Sequence, residues 1–142
     1  MTGPRPPYIL GIDVGTQGLR AGLFDLEGNP LVFATQEYRA HHPRPGWAEQ
    51  DPRQWWEALL VAVGQCVSDS GVDPSEIVAL SLDNASCTVV AVDRKGDPLR
   101  PALLWMDVRA HEEAQRVTPT GDPILSYVGD IESPEWMIPK AM

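Results

Sequence analysis

The sequence predicts an α/β fold, one mixed sheet with helices covering it. Three patterns carry that expectation. First, "YILGIDV" (8–14), "LRAGLFDL" (19–26) and "LVFATQEY" (31–38) are apolar or alternating runs joined by short turns, the pattern of an antiparallel meander. Second, a long amphipathic helix follows, opened by Asp51. Third, "EIVALSLD" (76–83) is apolar almost without a break, as a buried central strand would be. The order β-β-β-α-β suits one mixed sheet.

Each element has a local reason. "EGNP" (27–30) is a turn by composition, and "HHPRPGWAEQ" (41–50) reads as a loop. In the helix, Asp51 is a good N-cap, Pro52 takes the first helical position and Gln54 lies three residues after the cap. Trp56, Leu59, Leu60, Val63 and Val67 then share one helical face, so Leu60 is expected in the core, and Gly71 is a natural stop. "TVVAVD" (88–93) and "PLRPALLW" (98–105) flank the turn "RKGD". "DVRAHEEAQRV" (107–117) reads as a helix capped by Asp107. Residues 1–7 form a Pro-rich lead expected to be disordered. The tail from Thr118 holds Pro119, Pro123, Pro134 and Pro139 and shows no clear element before its end.

Composition excludes several function classes. The 142 residues are 43% hydrophobic, a globular composition, and the formal net charge is -9. That charge argues against binding nucleic-acid backbones, which takes clustered Lys and Arg. No apolar run approaches the roughly 20 residues that span a bilayer, so no membrane partner is expected. "MTGPRPPYIL" lacks a signal peptide's apolar region, which makes the cytoplasm the expected location. Cys66 and Cys87 make neither a disulfide framework nor a metal set, and two buried thiols is the expectation. Trp47, Trp55, Trp56 and Trp105 read as packing, and His41, His42 and His111 show no partner pattern.

The stretch "LGIDVGTQGLRAGLFD" (10–25) carries chemistry. A glycine-bearing turn between two strands can present backbone N–H groups in a concave array that binds anions, phosphate above all. Thr16 adds a hydroxyl, and Arg20 brings a forked cation to a phosphoryl oxygen. Asp13 would repel a bare phosphate, so a cation belongs between them. Hydrated Mg²⁺ suits a single carboxylate plus phosphate oxygens. Asp-x-Gly is also an ordinary turn, and Arg20 could be a solvated strand residue. The glycines here do not lead into a helix, which separates the stretch from a P-loop.

"GIDVGTQGLRAGLFD" resembles the first phosphate-binding hairpin of the actin-like, ribonuclease-H-fold kinases. "GWAEQDPRQWW", "ALSLDNASCTVVAVD", "PLRPALLWMDVRAHEEA" and "SPEWMIPKAM" resemble, in this order, the amino-terminal domain of the FGGY carbohydrate kinases. The resemblance runs from Tyr8 to the end of the chain. "DNASCT" and "WMDVRAHEEA" look most like ribulokinases, including D-ribulose kinases. Xylulose kinases tend to carry a Met-His pair near Ser86 and Cys87, and glycerol kinases an Arg-Glu pair near Ala85 and Ser86; neither pair is present.

The resemblance implies a ribonuclease-H-like (actin-like ATPase) mixed sheet with flanking helices, and phosphorylation of a sugar, such as ribulose, by ATP with Mg²⁺. Asp13 would order the metal or its water. Gly15, Thr16, Gln17, Gly18 and Arg20 would surround the transferring phosphate. Ala85, Ser86 and Cys87 fall where the family contacts sugar, and Asp107 and Arg109 lie close to that pocket. Ser86 and Cys87 could equally just turn the chain between two strands, and Asp107 could just cap a helix.

In the family the catalytic Asp comes later in the first domain, and most of the adenosine pocket belongs to the second. Residues 8–142 are therefore expected to be the amino-terminal portion of the first domain, an incomplete domain inactive by itself, with no catalytic residue before Met142. Ile124, Leu125, Tyr127, Val128, Trp136, Met137 and Ile138 would then face little protein, and association of copies is expected. Two other readings remain at this point. A ribonuclease-H-fold nuclease could use Asp13 and Asp83 as metal ligands, although the charge and the Thr16/Arg20 turn count against it. A non-catalytic sugar- or nucleotide-binding relic is the second.

Overall fold

A hairpin comes first. β1 (Tyr8–Val14) and β2 (Gly18–Asp25) pair antiparallel, with Leu10 opposite Leu23, Ile12 opposite Ala21 and Asp13 opposite Arg20. β3 (Pro30–Glu37) pairs antiparallel with β2. α1 (Pro52–Ser70) then carries the chain to β5 (Ile77–Asn84), which lies parallel to β1. The computed structural model describes residues 5–142; the first four residues of the expected disordered lead lie outside the described residues. The described residues fall into two units: one of the residues up to Arg39 with Arg53–Ala85, the other of Ala40–Pro52 with Ser86–Met142.

The first unit holds a four-stranded mixed sheet in the order β3-β2-β1-β5. Strand alternation puts Tyr8, Leu10, Ile12, Leu19, Ala21, Leu23 and Ala34 on one face. They form a core with Ala58, Ala62 and Cys66 of α1. The meander, the helix and the parallel return are thus as the pattern implies.

The buried stripe of α1 differs from the expected one. Leu59 and Val63 pack on the core, but their companions are Trp55, Ala58, Ala62 and Cys66. Trp56 and Leu60 are 63% and 55% exposed. Ala58, Ala62 and Cys66, spaced by four, make a narrow ridge of small side chains that lets the helix lie close to the sheet. That rotates the bulkier neighbours outward. The Cys66 thiol donates to the Ala21 carbonyl at 3.2 Å, and burial raises its pKa.

β5 also differs. Its sequence reads as a central strand, yet it stands at the sheet edge with Val78, Leu80 and Leu82 at 60%, 60% and 50% exposure. α1 covers the face of β1 to β3 and leaves that of β5 open.

The second unit has little regular structure. β4 (Glu49–Gln50), inside the segment read as a loop, pairs antiparallel with β6 (Ala102–Leu103). The runs 88–93 and 98–105 form only isolated bridges, Val89 to Leu103 and Val92 to Pro98, apart from β6. α2 (His111–Val117) starts four residues later than expected and has Ala110 at its N-cap with no side-chain cap. The Asp107 cap is therefore wrong, because Asp107 is committed elsewhere. The tail is more ordered than its prolines suggest. It has 3₁₀ turns at Thr118–Thr120 and Pro123–Val128 and a short α3 (Met137–Ala141). Ile124, Tyr127, Val128, Met137 and Ile138 are exposed, but Leu125 is buried and Trp136 half-buried.

Candidate functional site

The β1–β2 hairpin builds one concave site within the first unit. Cross-strand pairing puts Thr35, Arg20, Asp13 and Asp83 in a row across β3, β2, β1 and β5. Paired residues share a face, and this row lies on the face opposite α1. All four side chains are exposed. Beside the row, Asp13, Gly15, Thr16, Gln17, Gly18, Leu19, Arg20, Thr35 and Glu37 line an open cleft of about 370 Å³. The structure thus gathers all the residues expected at a phosphate site.

The turn itself is tight. The Gly15 N–H donates to the Gly18 carbonyl at 3.0 Å, so that donor closes the turn rather than facing an anion. Neither glycine needs a positive φ. Gly18 is required for space instead, since a Cβ there would lie 2.7 Å from the Gln36 carbonyl oxygen. Tyr38 clamps the turn from β3's end. Its hydroxyl donates to the Gly15 carbonyl at 2.7 Å and its N–H to the Gln17 carbonyl at 3.2 Å. Burial, and then the negative charge of Asp13, push the Tyr38 pKa up to about 12. Tyr38 was missed because a lone Tyr at a strand end has no motif.

Among the described residues, no group of three or more His, Cys, Asp or Glu side chains is placed to hold a metal. Asp13, with Asp83 beside it in register, is a one- or two-carboxylate set. Such a set fits Mg²⁺ that takes its other ligands from water and phosphate, and not a metal held by protein alone.

The second unit places the other candidates. Asp107 is fully buried. Its Oδ2 accepts the Ala48 N–H at 2.7 Å and the Arg109 Nη2 at 2.7 Å, and its Oδ1 accepts the Arg109 N–H at 3.0 Å. Arg109 also reaches Glu49 at 2.8 Å, and its guanidinium lies 3.6 Å over the Trp47 ring. Burial alone would raise the Asp107 pKa. The bonds from Arg109 and Ala48 outweigh it and hold the carboxyl below its ordinary value. Asp107 and Arg109 thus strap residues 104–109 to 46–49. Two further bonds do the same, Leu104 N–H to the Ala48 carbonyl at 3.0 Å and Val108 N–H to the Gly46 carbonyl at 2.9 Å.

Residues 85–87 follow β5. Ala85 N–H donates to the Val14 carbonyl at 3.3 Å, Ser86 is exposed, and Cys87 is half-buried with φ 59. Cys87 is therefore not the buried thiol expected. Trp105, read as core, is 43% exposed.

Comparison with known proteins fits this geometry. Residues 8–128 match the FGGY family of carbohydrate kinases, N-terminal domain. The chain belongs to that family. It is 36% identical over 110 residues to a glycerol kinase of Thermococcus onnurineus, covering 78% of this chain and 22% of that protein. It is 34% identical over 123 residues to a glycerol kinase of Thermococcus gammatolerans, covering 86% and 25%. Among solved structures, a xylulose kinase from Brucella ovis is 34% identical with TM-score 0.85, covering 94% of this chain and 28% of that one. Plasmodium falciparum glycerol kinase with ADP, at 23% identity and TM-score 0.79, shares the fold. The chain spans about a quarter of the length of these relatives. The fold is thus the mixed-sheet fold of actin-like ATPase sugar kinases, seen in part. The nuclease alternative falls with this membership, although the register does pair Asp13 with Asp83. No helix among the described residues is long and apolar enough to cross a membrane.

Proposed function

We propose that this chain supplies the nucleotide-phosphate site and part of the sugar site of an ATP-dependent carbohydrate kinase whose substrate is a pentulose such as ribulose. The observation that carries the reading is the Thr35–Arg20–Asp13–Asp83 row beside the 15–18 turn. Arg20 offers paired N–H donors to a phosphoryl oxygen, and Thr16 and Gln17 stand at the tip of the turn. Mg²⁺, held through Asp13, would offset phosphate charge when bound. Gly15 and Gly18 keep the turn narrow, and Tyr38 fixes it. No residue of this chain is assigned as the base for the attacking hydroxyl. We place the chain as the amino-terminal portion of the kinase's first domain.

On the sugar side, Ala85, Ser86 and Cys87 are the proposed contacts. The exposed Trp105 ring is a face against which a sugar can pack. Asp107 and Arg109 act there by fixing the segment that bears Trp105. The pentulose assignment rests on the small side chains at 85–87, which resemble ribulokinases more than glycerol or xylulose kinases.

The test is sugar-dependent ADP release by a protein that carries this chain, with glycerol, xylulose and ribulose compared. Arg20→Ala should lower kcat by about 10²-fold or more and leave the sugar KM nearly unchanged, because the charge it meets develops in transfer. An unchanged kcat would remove Arg20 from the reaction. Preference for glycerol over ribulose would overturn the pentulose assignment.

A further inference from the structure

Lysine is seldom buried without a partner, yet Lys140, near the end of α3, is 8% exposed. Its Nζ donates to the Leu104 carbonyl at 2.7 Å, the Trp105 carbonyl at 2.8 Å and the Cys87 carbonyl at 3.2 Å, and also to the Glu135 carbonyl. An ammonium has three protons, and here it meets four backbone oxygens. It sits as a dehydrated monovalent cation would, in a cage of carbonyl dipoles. The cage draws on three separate stretches of the second unit. Two of them, Cys87 and Leu104–Trp105, carry proposed sugar contacts. Cys87 is moreover held at φ 59, where a side chain is disfavoured and surrounding contacts must hold it.

We infer that Lys140 is a positioning residue of the sugar site. Its ammonium fixes the Cys87 turn and the Leu104–Trp105 segment in one arrangement and so sets sugar affinity without touching sugar. The inference rests on the sugar-site reading above. Burial lowers the Lys140 pKa, partly opposed by the charges of Asp107 and Glu135. The ammonium form is kept because the carbonyls replace its water.

The two cysteines provide the test on this chain without any ligand. Cys66, on the sheet-facing side of α1, is fully buried and reacts only on unfolding, whereas Cys87 reports the turn. In Lys140→Met, labelling of Cys87 by a disulfide reagent should accelerate at least about tenfold, the scale of one charge-assisted hydrogen bond, with Cys66 unchanged. By calorimetry on a protein that carries this chain, affinity for the sugar that the wild type binds from the panel of glycerol, xylulose and ribulose should fall by a similar factor. Affinity for MgADP should not move. If Cys66 accelerates as well, Lys140→Ala decides instead, because methylammonium should refill the cage and slow Cys87 again. Unchanged Cys87 reactivity, or no methylammonium effect, overturns the cage. A loosened Cys87 with unchanged sugar affinity overturns the positioning role. A wild-type protein that carries this chain, protects Cys87 and yet binds none of the sugars refutes the sugar-site reading itself and this role with it.

Discussion

Gly18→Ala and Gly64→Ala are the same chemical change with opposite expected signs. At Gly18 the new Cβ would lie 2.7 Å from the Gln36 carbonyl oxygen and 3.3 Å from the Glu37 Cα. Ordinary contact begins near 3.4 Å, so β2 and β3 must part by about 0.7 Å there (3.4 − 2.7). The obstacle is paired backbone, which has no rotamer to change. Overpacking of this kind costs about 1–3 kcal/mol. At Gly64, exposed on α1, a Cβ meets nothing within 4 Å. There alanine should stabilise by about 0.5–1 kcal/mol through helix propensity. Urea unfolding followed by circular dichroism measures both. The account of the turn is refuted if Gly18→Ala is as stable as wild type, or if the two substitutions shift stability in the same direction.

Three further outcomes follow from the packing and the charges. Ala62→Leu should destabilise by about 1–3 kcal/mol by lifting α1 off the sheet, while Leu60→Ala should stay within about 0.5 kcal/mol because Leu60 is 55% exposed; the reverse order in urea would restore the helix phase read from sequence. Arg109→Ala leaves the buried Asp107 carboxylate without its cation and should cost about 3–5 kcal/mol in urea unfolding, and a loss below 1 kcal/mol would show that Asp107 is not held as described. Tyr38 keeps its proton in the folded chain up to about pH 12, against 10 for an ordinary tyrosine. Between those values the unfolded chain binds fewer protons, so stability should fall as pH rises through that window, by about 2 kcal/mol. In Tyr38→Phe this fall should disappear from denaturation curves.

What the sequence made legible were features that depend on neighbours along the chain. The three short-turn strands and the capped helix at Pro52 lie within a residue or two of where their patterns put them. The hairpin that carries the candidate site was readable because its residues are contiguous. The phase of α1 was not, since Trp56 and Leu60 outweigh Ala58 and Ala62 in any count of apolar residues. Only the sheet rewards small ones there. β5 has the composition of a covered strand, and composition does not say which layer covers it. The second unit is held by contacts between residues distant in sequence, such as Asp107 with Ala48 and Lys140 with Cys87. Its short ladders leave no period to detect. Asp107 illustrates the difficulty: an Asp before a helical pattern is a cap by local rule, and the long-range demand of Ala48 and Arg109 prevailed.

The claim that the β1–β2 hairpin is a nucleotide-phosphate site is tested most directly by amide chemical shifts of this chain during titration with ADP. With Mg²⁺ present, saturable shifts should concentrate at Asp13–Arg20 and at Thr35 and Glu37, the residues of the cleft. They should weaken at least about tenfold in Arg20→Ala, which removes a charge-assisted contact, and in the absence of Mg²⁺. Shifts centred elsewhere, or an affinity indifferent to both Arg20 and Mg²⁺, would contradict the account.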